Sequence, residues 1–457
     1  MTRGRLVAGT LAALGALLLV ATGWLWIQNT QDEGAPDAAQ TTAASPASPA
    51  LQTALQTALV ARGAYLAQVG NCAGCHTHRG GAAYAGGLAI NTPFGAVYTS
   101  NLTPDVANGM GSWSQLDFWR AMHNGRSKNG RLLYPAFPYT NTTLVSRADS
   151  DALFAFLSQL APVHQANTAH TVRFPYNSQL ALAVWRALYF KPGVYENDPA
   201  QSAEFNRGAY LVGGLGHCSA CHAARNALGA TAGPDLAGGL IPLQNWYAPS
   251  LVSRAEAGLG DWSIADIKTL FKTGVAANAA VIGPMAEVVL GSTQHWTDAD
   301  LTALANYLKA IGQAAPPPHA AAPALPTMST SPTSQAAGAT RSSADLGAKL
   351  YEQHCAQCHG ADGAGQRVGN QVALPALKGN RAVVMPQTTN LVQIVLKGGY
   401  APATAGNPRP FGMPPFVLTL QDTEIAAVLT HIRSQWGNQA SSVSALDVNR
   451  VRDNPAR

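Results

Sequence analysis

Charge is scarce in this chain: of 457 residues only 12% are Asp, Glu, Lys or Arg, about half of the roughly 25% usual in soluble domains. The 29 basic and 24 acidic residues leave a formal net charge of +5. No Lys/Arg run is interleaved with aromatics, which argues against nucleic acid as a partner. Cysteine is also scarce, six in all, too few for a disulfide-dense scaffold. Alternation with a period of two is nearly absent, so the expectation is helices rather than strands. Neither a Ser/His/Asp triad nor a paired-carboxylate cleft is evident, which removes the commonest hydrolytic chemistries. What the chain does have is length enough for about three domains of ~100–200 residues, and 47% apolar residues to fill their cores.

Long hydrophobic runs are few, and the longest stands at the start. Arg3 and Arg5 precede 22 uncharged residues, Leu6–Ile27, which as a helix would span roughly 33 Å, enough for a hydrocarbon core of ~30 Å. Trp24 and Trp26 lie near its far end, where amphipathic aromatics favour the membrane–water boundary. The run is longer than the apolar part of a cleavable signal and lacks a small-x-small cleavage pattern after it. The expectation is therefore an uncleaved transmembrane anchor over residues 1–28, with a cleaved signal or a core helix as the other readings. With either of the first two, the remainder of the chain is exported. Residues 29–56, rich in Pro, Ala, Thr, Ser and Gln, read as a tether.

Beyond the tether the sequence repeats itself. RGAYLAQVGNCAGCHT (Arg62–Thr77) returns as RGAYLVGGLGHCSACHA (Arg207–Ala223) and more loosely as LGAKLYEQHCAQCHG (Leu346–Gly360). Ala85–Leu88 matches Ala237–Leu240 (AGGL in both), and Gly109–Trp113 matches Gly258–Trp262. Each copy closes on an apolar helical pattern with an acidic start, at Asp149/Asp151, Asp298/Asp300 and Asp422/Glu424, which suits the positive end of a helix dipole. Three small all-α domains are expected, over residues 57–165, 201–313 and 343–436. Residues 166–200 connect the first two and contain the apolar helix pattern Leu180–Phe190, read as packed between modules or as a surface for a partner or a bilayer. Residues 314–342 read as a disordered Pro/Ala linker and 437–457 as a disordered tail.

Every cysteine sits in one of three C-x-x-C-H motifs: Cys72, Cys75 and His76; Cys218, Cys221 and His222; Cys355, Cys358 and His359. This is the attachment pattern of a c-type haem. Two thiols three positions apart on a helical turn project to one side and can add to both vinyl groups of a porphyrin. The adjacent imidazole then meets the iron from below. A zinc site needs four ligands, usually two such pairs close together. Here more than 130 residues separate each pair from the next. A thioredoxin-like pair needs a βαβ context, which is absent. The expected cofactors are three haems c, held by the six cysteines with His76, His222 and His359 as proximal iron ligands.

The second axial ligand decides what such an iron does, since His/Met ligation closes it and suits electron transfer. Met285 follows Cys221 by 64 residues and Met413 follows Cys358 by 55, each flanked by proline. Both are expected distal ligands, against the alternative of core packing. In the first copy Phe137 occupies this place. Met122 is the candidate there, with His123 or an open iron as competing readings, while Met110 aligns away from the ligand position. Gly233–Leu236 and Leu374–Leu377 offer prolines, Pro234 and Pro375, whose carbonyls could orient a proximal histidine, unless they are ordinary turn prolines. The remaining histidines, His78, His164, His170, His217, His295, His319, His354 and His431, read as surface or structural.

With the stretch Asn101–Asp105 (NLTPD), the segment Tyr134–Tyr139 (YPAFPY), Arg173–Asn177 (RFPYN), Ser202–Leu211 (SAEFNRGAYL), Gly283–Val289 (GPMAEVV) and Met413–Phe416 (MPPF), residues 57–436 resemble the tri-haem cytochrome c subunit of bacterial membrane-bound dehydrogenases. That family serves alcohol, gluconate, sorbitol, fructose or aldehyde oxidation. The resemblance implies tandem class I cytochrome c domains, no catalytic residues of the chain's own, and a periplasm-facing position at the inner membrane. It implies electrons received from a catalytic dehydrogenase subunit (quinoprotein, flavoprotein or molybdenum hydroxylase) and passed to ubiquinone or a terminal oxidase. The competing functions are a peroxidase or sulfur-compound oxidase working at an open first haem, and a haem-based sensor or scaffold.

Overall fold

The computed structural model describes residues 2–30, 48–231, 235–314, 334–369 and 371–453. Residues 31–47 of the expected tether and 315–333 of the expected linker lie outside them, while 49–56 and 334–342, expected as tether and disordered linker, are helical. The chain divides into two compact units, Met1–Ala67 with Cys75–Glu196, and Gln68–Gly74 with Asn197–Arg457.

Unit 1 contains α1 (Thr2–Thr30), most of α2 (Pro49–Val69), a hairpin of β1 (Ala89–Thr92) and β2 (Gly95–Tyr98), then α3 (Gln115–Asn124), α4 (Arg147–Leu157) and α5 (Gln179–Tyr189). Ser114 and Asp117 close a capping box at the start of α3, and Gly125, at φ 59°, ends it in the left-handed conformation. Ser146 caps α4, with Asp149 in its first turn as the acidic pattern predicts. On α5 only Leu182 and Arg186 are buried. Arg186 reaches the Asn124 carbonyl at 2.5 Å, and its guanidinium lies over Tyr139 and Phe190. Leu180, Val184 and Leu188 of the same helix are exposed.

Unit 2 contains the second and third copies together. The second comprises α6 (Ala203–Gly213), β3 (Gly239–Ile241), β4 (Trp246–Ala248), α7 (Ile264–Thr273), α8 (Pro284–Gly291) and α9 (Asp298–Ala314). The third comprises α10 (Ser334–His354), β5 (Gln366–Val368), β6 (Gln371–Leu374), α11 (Thr389–Lys397), α12 (Asp422–Ser434) and α13 (Ala445–Arg452). The two copies are hydrogen-bonded to each other. The Asn390 side chain pairs with both backbone groups of Tyr247, at 2.8 and 2.6 Å, and Thr404 Oγ1 donates to the Thr273 carbonyl at 3.2 Å.

One crossing recurs in all three copies: the helix entering the Cys pair lies across the closing helix. Gly63, Gly208 and Gly347 mark it. A Cβ at these positions would collide with the carbonyls of Ala152, Ala303 and Ala427 respectively. The repeated glycine of RGAYL and LGAKL is thus the residue that lets two backbones touch. The preceding arginine locks the crossing in two copies, Arg62 to Asp149 at 2.7 Å and Arg207 to Asp300 through two bonds of 2.8 Å.

The structure corrects the all-α reading with a transmembrane anchor in two respects. First, no helix among the described residues is long and apolar enough to cross a membrane. The last turn of α1 docks on protein. Asn29 donates to the Ala183 carbonyl at 3.1 Å and accepts from Arg186 Nε at 3.0 Å, and Arg126 donates to the Asn29 carbonyl at 2.7 Å. Second, five two-stranded antiparallel sheets are present among the described residues. Their strands have four residues at most, too short to display a period of two. The segment expected as a disordered tail also forms α13. Ser444 and Asp447 make a capping box there, and Val448 and Val451 enter the core of the third copy, where each stabilises by about 1.5 kcal/mol or more.

Candidate functional site

The three C-x-x-C-H motifs fold alike. Each occupies a single helical turn, Cys72–Cys75, Ser219–His222 and Ala356–His359. The first cysteine of each pair is half-buried, the second is exposed, and none forms a disulfide. The histidine that follows is gripped twice by backbone. Its carbonyl accepts from a glycine amide, Gly86 to His76 at 2.7 Å, Gly238 to His222 at 2.8 Å and Gly365 to His359 at 2.9 Å. Those glycines have φ of 76°, 89° and 71°, a region costly for a side chain. Here a Cβ would also strike the backbone at the end of the second hairpin strand or just after it, at Ser100, Ser250 and Leu374. That explains the repeated AGGL segment.

From the residues just after that strand comes the second grip. The ring Nδ1 of His76 donates to the Ser100 carbonyl at 2.7 Å, that of His222 to Pro249 at 2.7 Å and that of His359 to Pro375 at 3.1 Å. Burial pushes all three imidazoles below their ordinary value, partly offset by these hydrogen bonds. A neutral ring with its proton held at Nδ1 leaves the Nε2 lone pair available, which is the form that ligates a metal. Pro375 is the acceptor its position suggested. In the second copy the acceptor is Pro249, while Pro234 lies outside the described residues. In the first it is Ser100. These acceptors were hidden because a carbonyl carries no side-chain signal. Only the shared position, just after the second hairpin strand, marks Ser100 and Pro249.

Three of the thiols, Cys218, Cys221 and Cys355, are not primed for other chemistry. Burial, with help from the neighbouring thiol, pushes Cys218 up to about 12 and Cys355 up to about 11, and burial raises Cys221 as well. Reactive redox cysteines and zinc thiolates need the opposite shift. Among the described residues no three His, Cys, Asp or Glu side chains converge on a metal-binding point. A pair of thiols outside any disulfide on one turn, beside an imidazole whose proton is held at Nδ1, fits a covalently attached haem c. It does not fit zinc.

Of the proposed distal ligands, Met285 is half-buried at the second position of α8, behind Gly283 (φ 56°) and Pro284. The Trp246 ring lies against Gly283, so β4 serves both the Met285 loop and, one residue on, the Pro249 carbonyl. Met413 is half-buried in the two-residue strand Gly412–Met413, paired with Gly399–Tyr400 and packed on the core of the third copy. In the first copy Phe137 is half-buried in a turn. Met122 is buried on α3, where Thr142 Oγ1 bonds its carbonyl at 2.6 Å. Its neighbour His123 donates from Nδ1 to the Thr143 carbonyl at 2.8 Å and stacks on Trp119 at 4.4 Å. Met110 is buried in the turn after Thr103.

Known proteins resemble the chain over most of its length. The family model described as cytochrome c matches residues 60–161 and 344–436. The cytochrome c subunit of the quinone-dependent alcohol dehydrogenase of Gluconacetobacter polyoxogenes is 39% identical over 408 residues, 87% of this chain and 85% of that one. The gluconate 2-dehydrogenase cytochrome c subunit of Pantoea cypripedii is 39% identical over 407 residues, 86% of this chain and 90% of that one. The fructose dehydrogenase cytochrome subunit of Gluconobacter japonicus is 33% identical over 408 residues, 86% of this chain and 82% of that one.

Proposed function

The chain belongs to the family of cytochrome c subunits of alcohol, gluconate and fructose dehydrogenases, and from that premise we propose that it carries three covalent haems c and relays electrons for a catalytic dehydrogenase partner. The observation that carries the reading is the triple recurrence of one backbone arrangement: two thiols outside any disulfide, a histidine carbonyl tied to a left-handed glycine, and an Nδ1–H tied to a carbonyl just after the second hairpin strand. Cys72, Cys75, Cys218, Cys221, Cys355 and Cys358 form the thioether links. His76, His222 and His359 are the proximal ligands. Met285 and Met413 are the distal ligands of the second and third groups, and Met122 is the candidate for the first. The bound group supplies a one-electron ferric/ferrous couple. The chain holds each imidazole in one tautomer and orientation and presents the thioether sulfurs from stiff, proline-flanked loops.

The chain works on the periplasmic side of the inner membrane, because c-type haem is attached outside the cytoplasm. Its partner is a quinoprotein, flavoprotein or molybdenum hydroxylase subunit, and its acceptor is ubiquinone or a terminal oxidase. A redox titration of the full chain tests this. Three one-electron steps are expected, and Met413→Leu is expected to lower one potential and slow acceptor reduction. A titration in which that variant shifts no potential would remove Met413 from the ligand set.

A further inference from the structure

The seven residues Gln68–Gly74 carry Cys72 and are packed within unit 2, the unit that also carries Cys218. Their placement is specific. The Val69 carbonyl accepts from Ser292 Oγ at 2.7 Å, and that buried hydroxyl accepts from the fully buried Trp296 Nε1 at 3.0 Å. The Asn71 side chain fills the space where Gly291, the last residue of α8, would carry a Cβ. The Gly70 carbonyl faces His217 Nε2 at 3.4 Å. Asn71 and His217 each immediately precede the first cysteine of a pair, and both adopt left-handed backbone, with φ of 48° and 36°. Such conformations cost on the order of 1 kcal/mol or more and persist only where the surroundings enforce them. Here the surroundings include α8 and its end on one side and, through Gly70 and His217, the other attachment segment.

We propose that His217 is a positioning residue for electron transfer, joining the first and second attachment segments through the route Cys72, Asn71, the Gly70 carbonyl, His217 and Cys218. The proposal rests on the relay function above. In the transfer one electron leaves the ferrous iron of the group on Cys72 and reduces the ferric iron of the group on Cys218, or the reverse. No bond is made or broken and no proton moves. The Nε2–H of His217 is the one non-covalent link in this route, so its removal lengthens the gap without touching any iron ligand.

Flash reduction of the full haem-loaded chain, followed by spectral re-equilibration among its haems, tests the route in His217→Leu and His217→Gln, with midpoint potentials measured alongside. The leucine variant is expected to slow re-equilibration several-fold at unchanged potentials. The glutamine variant, which keeps a donor able to reach Gly70, is expected to restore it. Should the leucine variant fail to retain haem, His217→Asn, too short to reach Gly70, takes its place with the same expectation. An unchanged rate overturns the proposal, as does a rate change fully accounted for by shifted potentials. An unaltered chain without covalent haem would instead overturn the relay reading itself, so the two failures are distinguishable.

Discussion

The first and second copies of the repeat share one scaffold and differ above the proximal histidine. Gly63 and Gly208 let the same two helices cross, Arg62–Asp149 and Arg207–Asp300 lock the crossing, and Gly86 and Gly238 seat the histidines identically. Yet the second copy presents Met285 from a proline-led helix, where the first has Phe137 in a turn. The proximal side is built from residues close in sequence and from backbone hydrogen bonds, so any copy that keeps the glycines keeps it. On the proposed ligation the distal side hangs on a loop more than sixty residues away, which can change without disturbing the attachment. Potential and ligand access can therefore be set separately in each copy on an otherwise common frame.

The distal contrast is the first to break. Met285→Leu should open the second iron, so the reduced variant takes up one more equivalent of carbon monoxide than the unaltered chain. Equal uptake would mean the copies do not differ there. Met122→Leu, measured the same way, decides whether the first iron draws its ligand from α3. The shared crossing should respond equally in both copies. Gly63→Leu and Gly208→Leu each force two helices apart and are expected to cost about 3 kcal/mol, read as a lowered thermal midpoint. If either proves neutral, the crossing is not what the glycine serves.

The ion pairs give a smaller effect and a ranking. Arg207 is the less exposed arginine and bonds both carboxylate oxygens of Asp300, while Arg62, more than half exposed, places two nitrogens on a single oxygen of Asp149. Arg207→Met should cost roughly 2 kcal/mol and Arg62→Met roughly half that, after solvent screening. The reverse order in chemical denaturation would contradict the geometry. The smallest effect separates the third copy, where α13 adds a capped helix. Hydrogen bonds from the Ser444 hydroxyl and amide hold the Asp447 carboxyl below the ordinary carboxylate range. A depressed folded value means the stabilisation is present above the unfolded pKa of ~3.9 and is lost as pH falls through the folded value. Amide protection factors in residues 445–452, corrected for intrinsic exchange, should therefore fall below about pH 4 and be pH-insensitive in the Asp447→Asn variant.

Much of this was readable from the residues. The three motifs, the repeated glycines, the acidic helix starts and Pro375 all carry side-chain or backbone signatures that survive in one dimension. What escaped did so for physical reasons. Strands of two to four residues have no room for a pattern, so the hairpins beside each histidine were invisible. Ser100 and Pro249 act through carbonyls that every residue possesses. The apolar run of α1 was long enough for a transmembrane reading, but the docking of Asn29 on α5 depends on partners over 150 residues away. α13 is mostly polar and was read as tail, although Val448 and Val451 fall on its buried face. His217 looked like one more unmatched histidine because its partner is a backbone carbonyl in another copy of the repeat.

The central claim is that each of the three cysteine pairs holds a porphyrin covalently. Mass spectrometry of the heat-denatured full-length chain, paired with a pyridine haemochrome assay, measures this directly. The account requires three porphyrin masses retained per polypeptide, whereas a chain retaining two or fewer would contradict it.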